Sequence, residues 1–123
     1  MIKMTVDEAY GFDYYSILQI KLENKTIPKS NLDLIKEDLV SQVSVDTFTE
    51  VIGSDEYQKL LKANKDTFDA VDKAKIDEVP ASYVDKCNYQ RMIAKKKLQE
   101  KFFSTPLSEA KSGYEKYDNE ESK

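Results

Sequence analysis

Asn64, Asn88 and Arg91 are the side chains in this sequence whose type and spacing could do chemistry, because each interrupts an otherwise apolar helical stripe. If the two stripes face each other, an asparagine amide brings donors and acceptors together, and a guanidinium must find acceptors once buried. Asp69, Asp72 and Asp13 are the candidate counter-charges. Two kinds of chemistry follow: a small anion or sugar site, or a polar network that fixes helix register at some cost in stability. The network is the simpler account.

Other candidates are weaker. Cys87 could act as a nucleophile only with a lowered pKa, and Lys86 and Arg91 are the nearby positive charges in sequence. The sequence contains no histidine to serve as its base, so a buried thiol acting as a small hydrophobe is expected. Lys95, Lys96, Lys97 and Lys101 spread around a helix without the interleaved exposed aromatics of strand-binding surfaces, and read as solvated. None of the 23 acids has a spacing that marks a glycosidase pair or a metal site, so no metal and no cofactor are assigned.

These residues need helices to position them. Thr5 and Glu8 have capping-box spacing and predict a first helix over 6–24, with Gly11 loosening its first turns and Tyr14, Tyr15, Ile17, Leu18 and Leu22 at helical intervals. Asn24 and Pro28 end it, and Ser30 caps a second helix over 30–44 with Leu32, Ile35, Leu39 and Val43 facing inward. The stretch 45–52 suits a strand as well as a short helix; without a partner strand it reads as a short helix or ordered connector.

A third helix over 54–77 carries Tyr57, Leu60, Leu61, Asn64, Phe68 and Val71 on one face. Pro80 then opens a fourth over 81–103, whose main stripe includes Cys87, Asn88, Arg91, Ala94 and Leu98, while Tyr89 and Ile93 project from the opposite side. A helix with two apolar sides needs two neighbours, either inside the monomer or across an oligomer interface. The expected fold class is all-α: a bundle of about four helices in one domain, 1–103, with an antiparallel hairpin of the last two. Residues 104–123 lose the apolar period and are expected to form an acidic, disordered tail.

Composition sets the outer bounds. A chain of 123 residues fits one domain, and three glycines and three prolines leave little for the tight turns of a many-stranded sheet. A single cysteine, no apolar leader and no apolar run of 18 residues together predict a reducing cytoplasm and no membrane partner. The net charge of -4 is unevenly spread: residues 1–79 carry -6, residues 80–103 carry +4 and residues 104–123 carry -2. The overall acidity opposes docking on a nucleic-acid backbone, so the basic helix is expected to lie against acidic neighbours or water.

The segment Asp13-Tyr14-Tyr15-Ser16-Ile17-Leu18-Gln19-Ile20-Lys21-Leu22-Glu23 resembles the opening helix of an uncharacterised family of small helical domains, whose pattern reads roughly D-K-I-T-I-L-E-I-K-L-E. Leu61, Asn64, Phe68 and Asp72 are similar to that family's L-x-x-N helix, and Asn88, Arg91 and Lys95 form a third match, all at low overall similarity. Tyr14 stands where a lysine is usual, Phe68 replaces a bulkier aromatic, and the linker after the second helix differs. The family occurs alone or beside glycosyltransferase-like regions in bacteria and phages. The resemblance therefore implies a sugar-related setting and no particular reaction.

Two functions are expected on this reading. The first is a non-enzymatic helical protein-interaction module, a homodimer or a binder of another protein, supported by the two-sided last helix and the missing catalytic sets. The second is a sugar-nucleotide or anion-binding accessory domain of polysaccharide or glycosyl-transfer metabolism, centred on Asn64, Asn88 and Arg91.

Overall fold

The computed structural model describes residues 1–103, so the expected tail, 104–123, lies outside the described residues. Five helices follow one another: α1 (Glu8–Glu23), α2 (Lys29–Val43), α3 (Val45–Ile52), α4 (Asp55–Lys75) and α5 (Ala81–Phe102), and no strand occurs among the described residues. The fold is an all-helical bundle. The ambiguous stretch 45–52 is a helix in its own right, so the bundle has five helices where the periodicity predicts about four. Phe48 and Val51 both point into the core and anchor the stretch there.

The start of α1 differs from the expected capping box. Asp7 caps it by accepting from the Tyr10 N–H at 3.0 Å, and Glu8 is already the first helical residue. The carboxylate of Glu8 is used elsewhere, accepting from Gln99 Nε2 at 2.9 Å, while Gln99 Oε1 accepts from the Ala9 N–H at 2.8 Å. A glutamine 90 residues away thus satisfies an orphan amide at the α1 N-terminus, which local spacing could not predict. Ser30 likewise lies inside α2, whose N-cap is Pro28 and which has no side-chain cap.

α1 packs against α2, α4 and α5, and is buried on most of its circumference. Its interior residues include Asp13 and Ser16 as well as Phe12, Tyr15 and Leu18, whereas Tyr14 is exposed. Gly11 serves contact with a neighbour: a Cβ there would meet Leu39 Cδ2 of α2 at 2.9 Å. The principal core joins Phe12, Tyr15, Phe48, Val51, Tyr57, Leu60 and Leu98, and α2 leans on it with half-buried Leu32, Ile35, Leu39 and Val43. α4 and α5 share the most extensive contact in the bundle. Glu56 near the start of α4 meets Lys101 near the end of α5, and Val71 and Ala74 lie with Ala81 and Val84 at the other end.

Two helices end in the same left-handed turn. After α1, Thr26 N–H donates to Lys21 C=O and Lys25 N–H to Leu22 C=O; after α4, Glu78 N–H donates to Lys73 C=O and Asp77 N–H to Ala74 C=O. These are Schellman closures, with Lys25 and Asp77 each at φ 59° in the position that favours glycine. The two sites differ in charge. Lys25 complements the negative end of the helix dipole, while Asp77 opposes it. Asp77→Gly should therefore raise stability by about 1 kcal/mol, combining relief of left-handed strain with removal of an unfavourable charge. Lys25→Gly gains the same relief at the same φ but loses a favourable charge, and should change it by less than about 0.5 kcal/mol. Thermal midpoints of the two variants check this difference.

Candidate functional site

Two of the polar residues singled out by the sequence, Asn64 and Arg91, converge on one carboxylate, which α1 supplies. Arg91 on α5 donates to Asp13 through Nη2 to Oδ2 at 2.5 Å and Nε to Oδ1 at 3.2 Å. Asn64 on α4 donates from Nδ2 to Asp13 Oδ1 at 2.9 Å and to Ser16 Oγ at 2.7 Å. Ser16 Oγ donates back to the Asp13 carbonyl at 2.7 Å. Three helices are thereby tied at one point. Asp13, Ser16 and Asn64 are at most 3% exposed, and only the Arg91 side chain, at 30%, reaches solvent.

Asn64 and Arg91 thus come together, and Asp13 is the counter-charge. Asn88, Asp69 and Asp72 are not part of this network. Asn88 is half-buried and lines a shallow cleft with Val71, Ala74, Ala81 and Val84. Asp69 is paired with Lys73 at 3.0 Å on the surface, and Asp72 is exposed. Helical geometry accounts for both acids: five and eight residues beyond Asn64 turn them about 140° and 80° away from it at 100° per residue. Ser16 carries no apolar-period signal in the sequence; only its position opposite Asn64 gives it a role.

The network is saturated. Among the described residues, every buried side-chain nitrogen and oxygen has a hydrogen-bond partner. The bidentate Arg91 and the Asn64 amide neutralise and solvate Asp13 within the protein, as a buried carboxylate requires. Their inward donors are taken by Asp13 and Ser16 and are not open to a ligand.

A second polar pair, buried Tyr57 with half-buried Gln19, lies nearby. The Tyr57 hydroxyl donates to Gln19 Oε1, and burial first, then Tyr15 and Asp13, push its phenol well above the ordinary tyrosine range. Tyr15 is raised as well, by burial and by Asp33. Above about pH 10 an unfolded tyrosine loses its proton while folded Tyr57 retains it, so alkali favours unfolding by about 1.4 kcal/mol per further pH unit. The stability contributed by the protonated phenol is complete below pH 10 and declines above it. Chemical denaturation from pH 8 to 11 should show this decline for the parent and a shallower one for Tyr57→Phe.

A solvent-facing groove of about 540 Å³ lies between α4 and α5. Its floor is Ala63, Cys87, Ile93 and Ala94, and its rims carry Lys59, Lys62, Lys97 and Lys101 with Glu56 and Asp66. The four-lysine series of α5 is therefore divided and not uniformly solvated. Lys97 and Lys101 edge the groove, whereas Lys95 is 8% exposed, with Nζ 5.3 Å from the centre of the Tyr10 ring. The Tyr10 ring face is one of the contacts that hold its charge there. Cys87 is a buried free thiol in the groove floor, and it pushes the neighbouring Tyr83 phenol upward. No group of three or more metal-ligating side chains occurs among the described residues. None of the described helices is long and apolar enough to cross a membrane.

Compared with protein-family models, with curated proteins and with solved structures, the chain matches none of them.

Proposed function

We propose that this chain is a non-enzymatic helical interaction module whose last two helices pair as an antiparallel hairpin and present a binding face. The observation that carries the reading is the groove between α4 and α5, apolar on its floor and charged on its rims. That composition suits a macromolecular contact, in which an apolar centre is surrounded by a polar rim. Support also comes from the Asp13, Asn64 and Arg91 set. Its inward hydrogen-bonding capacity is spent inside the protein, so it serves architecture better than turnover.

Self-association is part of the proposal, and the measurement is the mass of the full chain over a wide concentration range, alongside thermal midpoints with phosphate and sugar nucleotides at millimolar concentration. The expected result is a mass rising toward two chains and no ligand-induced shift, since a ligand that binds the folded state raises the midpoint by mass action. A constant single-chain mass together with stabilisation by a sugar nucleotide would overturn the reading in favour of a small-molecule accessory domain. A constant single-chain mass without stabilisation removes the homodimer alone, and leaves a partner of different sequence.

A further inference from the structure

Most of this chain is acidic, yet the α4/α5 groove is edged by four lysines against two carboxylates. Lys62 is held by Asp66 at 2.7 Å and Lys101 reaches Glu56 at 3.6 Å, so those charges are largely balanced locally. Lys59 on one rim and Lys97 on the other have no ion-pair partner among the described residues. Two uncompensated cations therefore flank an apolar floor from opposite sides. The rim from Glu56 to Asp66 runs about 15 Å at 1.5 Å per residue, and the same rise gives about 10.5 Å between positions i and i+7 of a docked helix. A two-turn set of apolar anchors fits that length.

We propose that this groove docks an acidic amphipathic helix of a partner protein. The partner's apolar stripe lies on Ala63, Ile93 and Ala94, and carboxylates on its two flanks face Lys59 and Lys97. Helix-in-groove recognition requires this combination of an apolar trough and i, i+3, i+4, i+7 anchors. Charge selects against a second copy as occupant of this groove, so self-association must use another face of the bundle. A symmetric contact through the groove would set the Lys59 and Lys97 rims of two chains against each other, and like charges in an interface are repulsive. The inference rests on the interaction-module reading and adds to it the chemistry of the partner.

The test is titration of the full chain, labelled with nitrogen-15, with three synthetic helical peptides. One carries leucines at i, i+3, i+4 and i+7 flanked by glutamates, the second has the same residues scrambled, and the third has lysines in place of glutamates. The expected result is that the acidic amphipathic peptide alone shifts the amides of Ala63, Ile93 and Ala94. Its binding should weaken as salt rises, and Lys59→Glu/Lys97→Glu should lower its affinity about tenfold or more, because two exposed attractions become repulsions. Equal binding of the scrambled peptide, or shifts elsewhere on the bundle, would overturn the proposal. If the basic peptide binds the groove instead, the partner chemistry is wrong while the interaction module stands. If no peptide binds, the proposal falls, and the mass measurement decides separately whether the chain associates with itself. A single-stranded DNA oligomer that shifts these amides when the acidic peptide does not would make the lysines a phosphate surface and overturn the proposal as well.

Discussion

Arg91→Leu is expected to destabilise the chain by about 3–5 kcal/mol, measured by urea denaturation at neutral pH. The reason lies in what the substitution leaves behind. Asp13 is 3% exposed, and without the guanidinium it retains only the Asn64 amide as a side-chain donor, so a charge stays buried without its counter-charge. The partial exposure of Arg91 lets water relieve some of this, which places the loss toward the lower end of the range. Asn64→Leu should cost less, about 1–3 kcal/mol, because it removes hydrogen bonds to Asp13 and Ser16 but leaves the ion pair. Replacing Asp13, Asn64 and Arg91 together by leucine should recover most of the loss, since no buried charge then remains. Stabilisation by Arg91→Leu alone would reverse the conclusion, and would mark the cluster as a site maintained against stability.

Phe12→Ala is expected to cost a similar amount, about 3–5 kcal/mol, by a different mechanism. Phe12 is fully buried at the junction of the helices, with its ring centre 5.9 Å from that of Phe48 and 6.0 Å from that of Phe103. Truncation removes apolar contact and leaves a cavity that helices anchored by three separate elements cannot fill by collapsing. Phe12→Leu, which keeps most of the volume, should cost less than about 1.5 kcal/mol. The comparison separates the two forces holding this bundle. Aromatic packing is tolerant of shape-conserving change, whereas the Asp13 network depends on a complete set of partners.

Phe12 also illustrates the boundary of what periodicity reveals. The expected stripe on the first helix ran through Tyr14, Tyr15, Ile17, Leu18 and Leu22, and on that pattern Phe12 had no special standing. A stripe is informative when one face of a helix is buried, and α1 is buried on most of its circumference. α4 is the simpler case: of the face expected from spacing, Tyr57, Leu60 and Asn64 are buried while Leu61, Phe68 and Val71 are half-buried, and Thr67 and Ala70 fill the remaining interior positions. Capping followed the same division. Ser54, immediately before α4, caps it locally by accepting from the Tyr57 N–H, whereas the α1 N-terminus is completed by Gln99 from the far end of the chain.

The sequence by itself determined the helical class, the approximate extent of the helices and the inward placement of Asn64. These follow from local propensity and a 3.6-residue period, which act within a few turns. Only the tertiary structure decided that Asp13 and not Asp69 or Asp72 answers Arg91, that Asn88 stands outside the network, and that Lys95 is buried while Lys97 edges a groove. A long polar side chain can turn to any of several neighbours of suitable charge, and 23 acids offer many. Which one it meets is fixed by how helices distant in sequence pack against one another, because a buried charge persists only where that packing brings a partner within hydrogen-bonding distance.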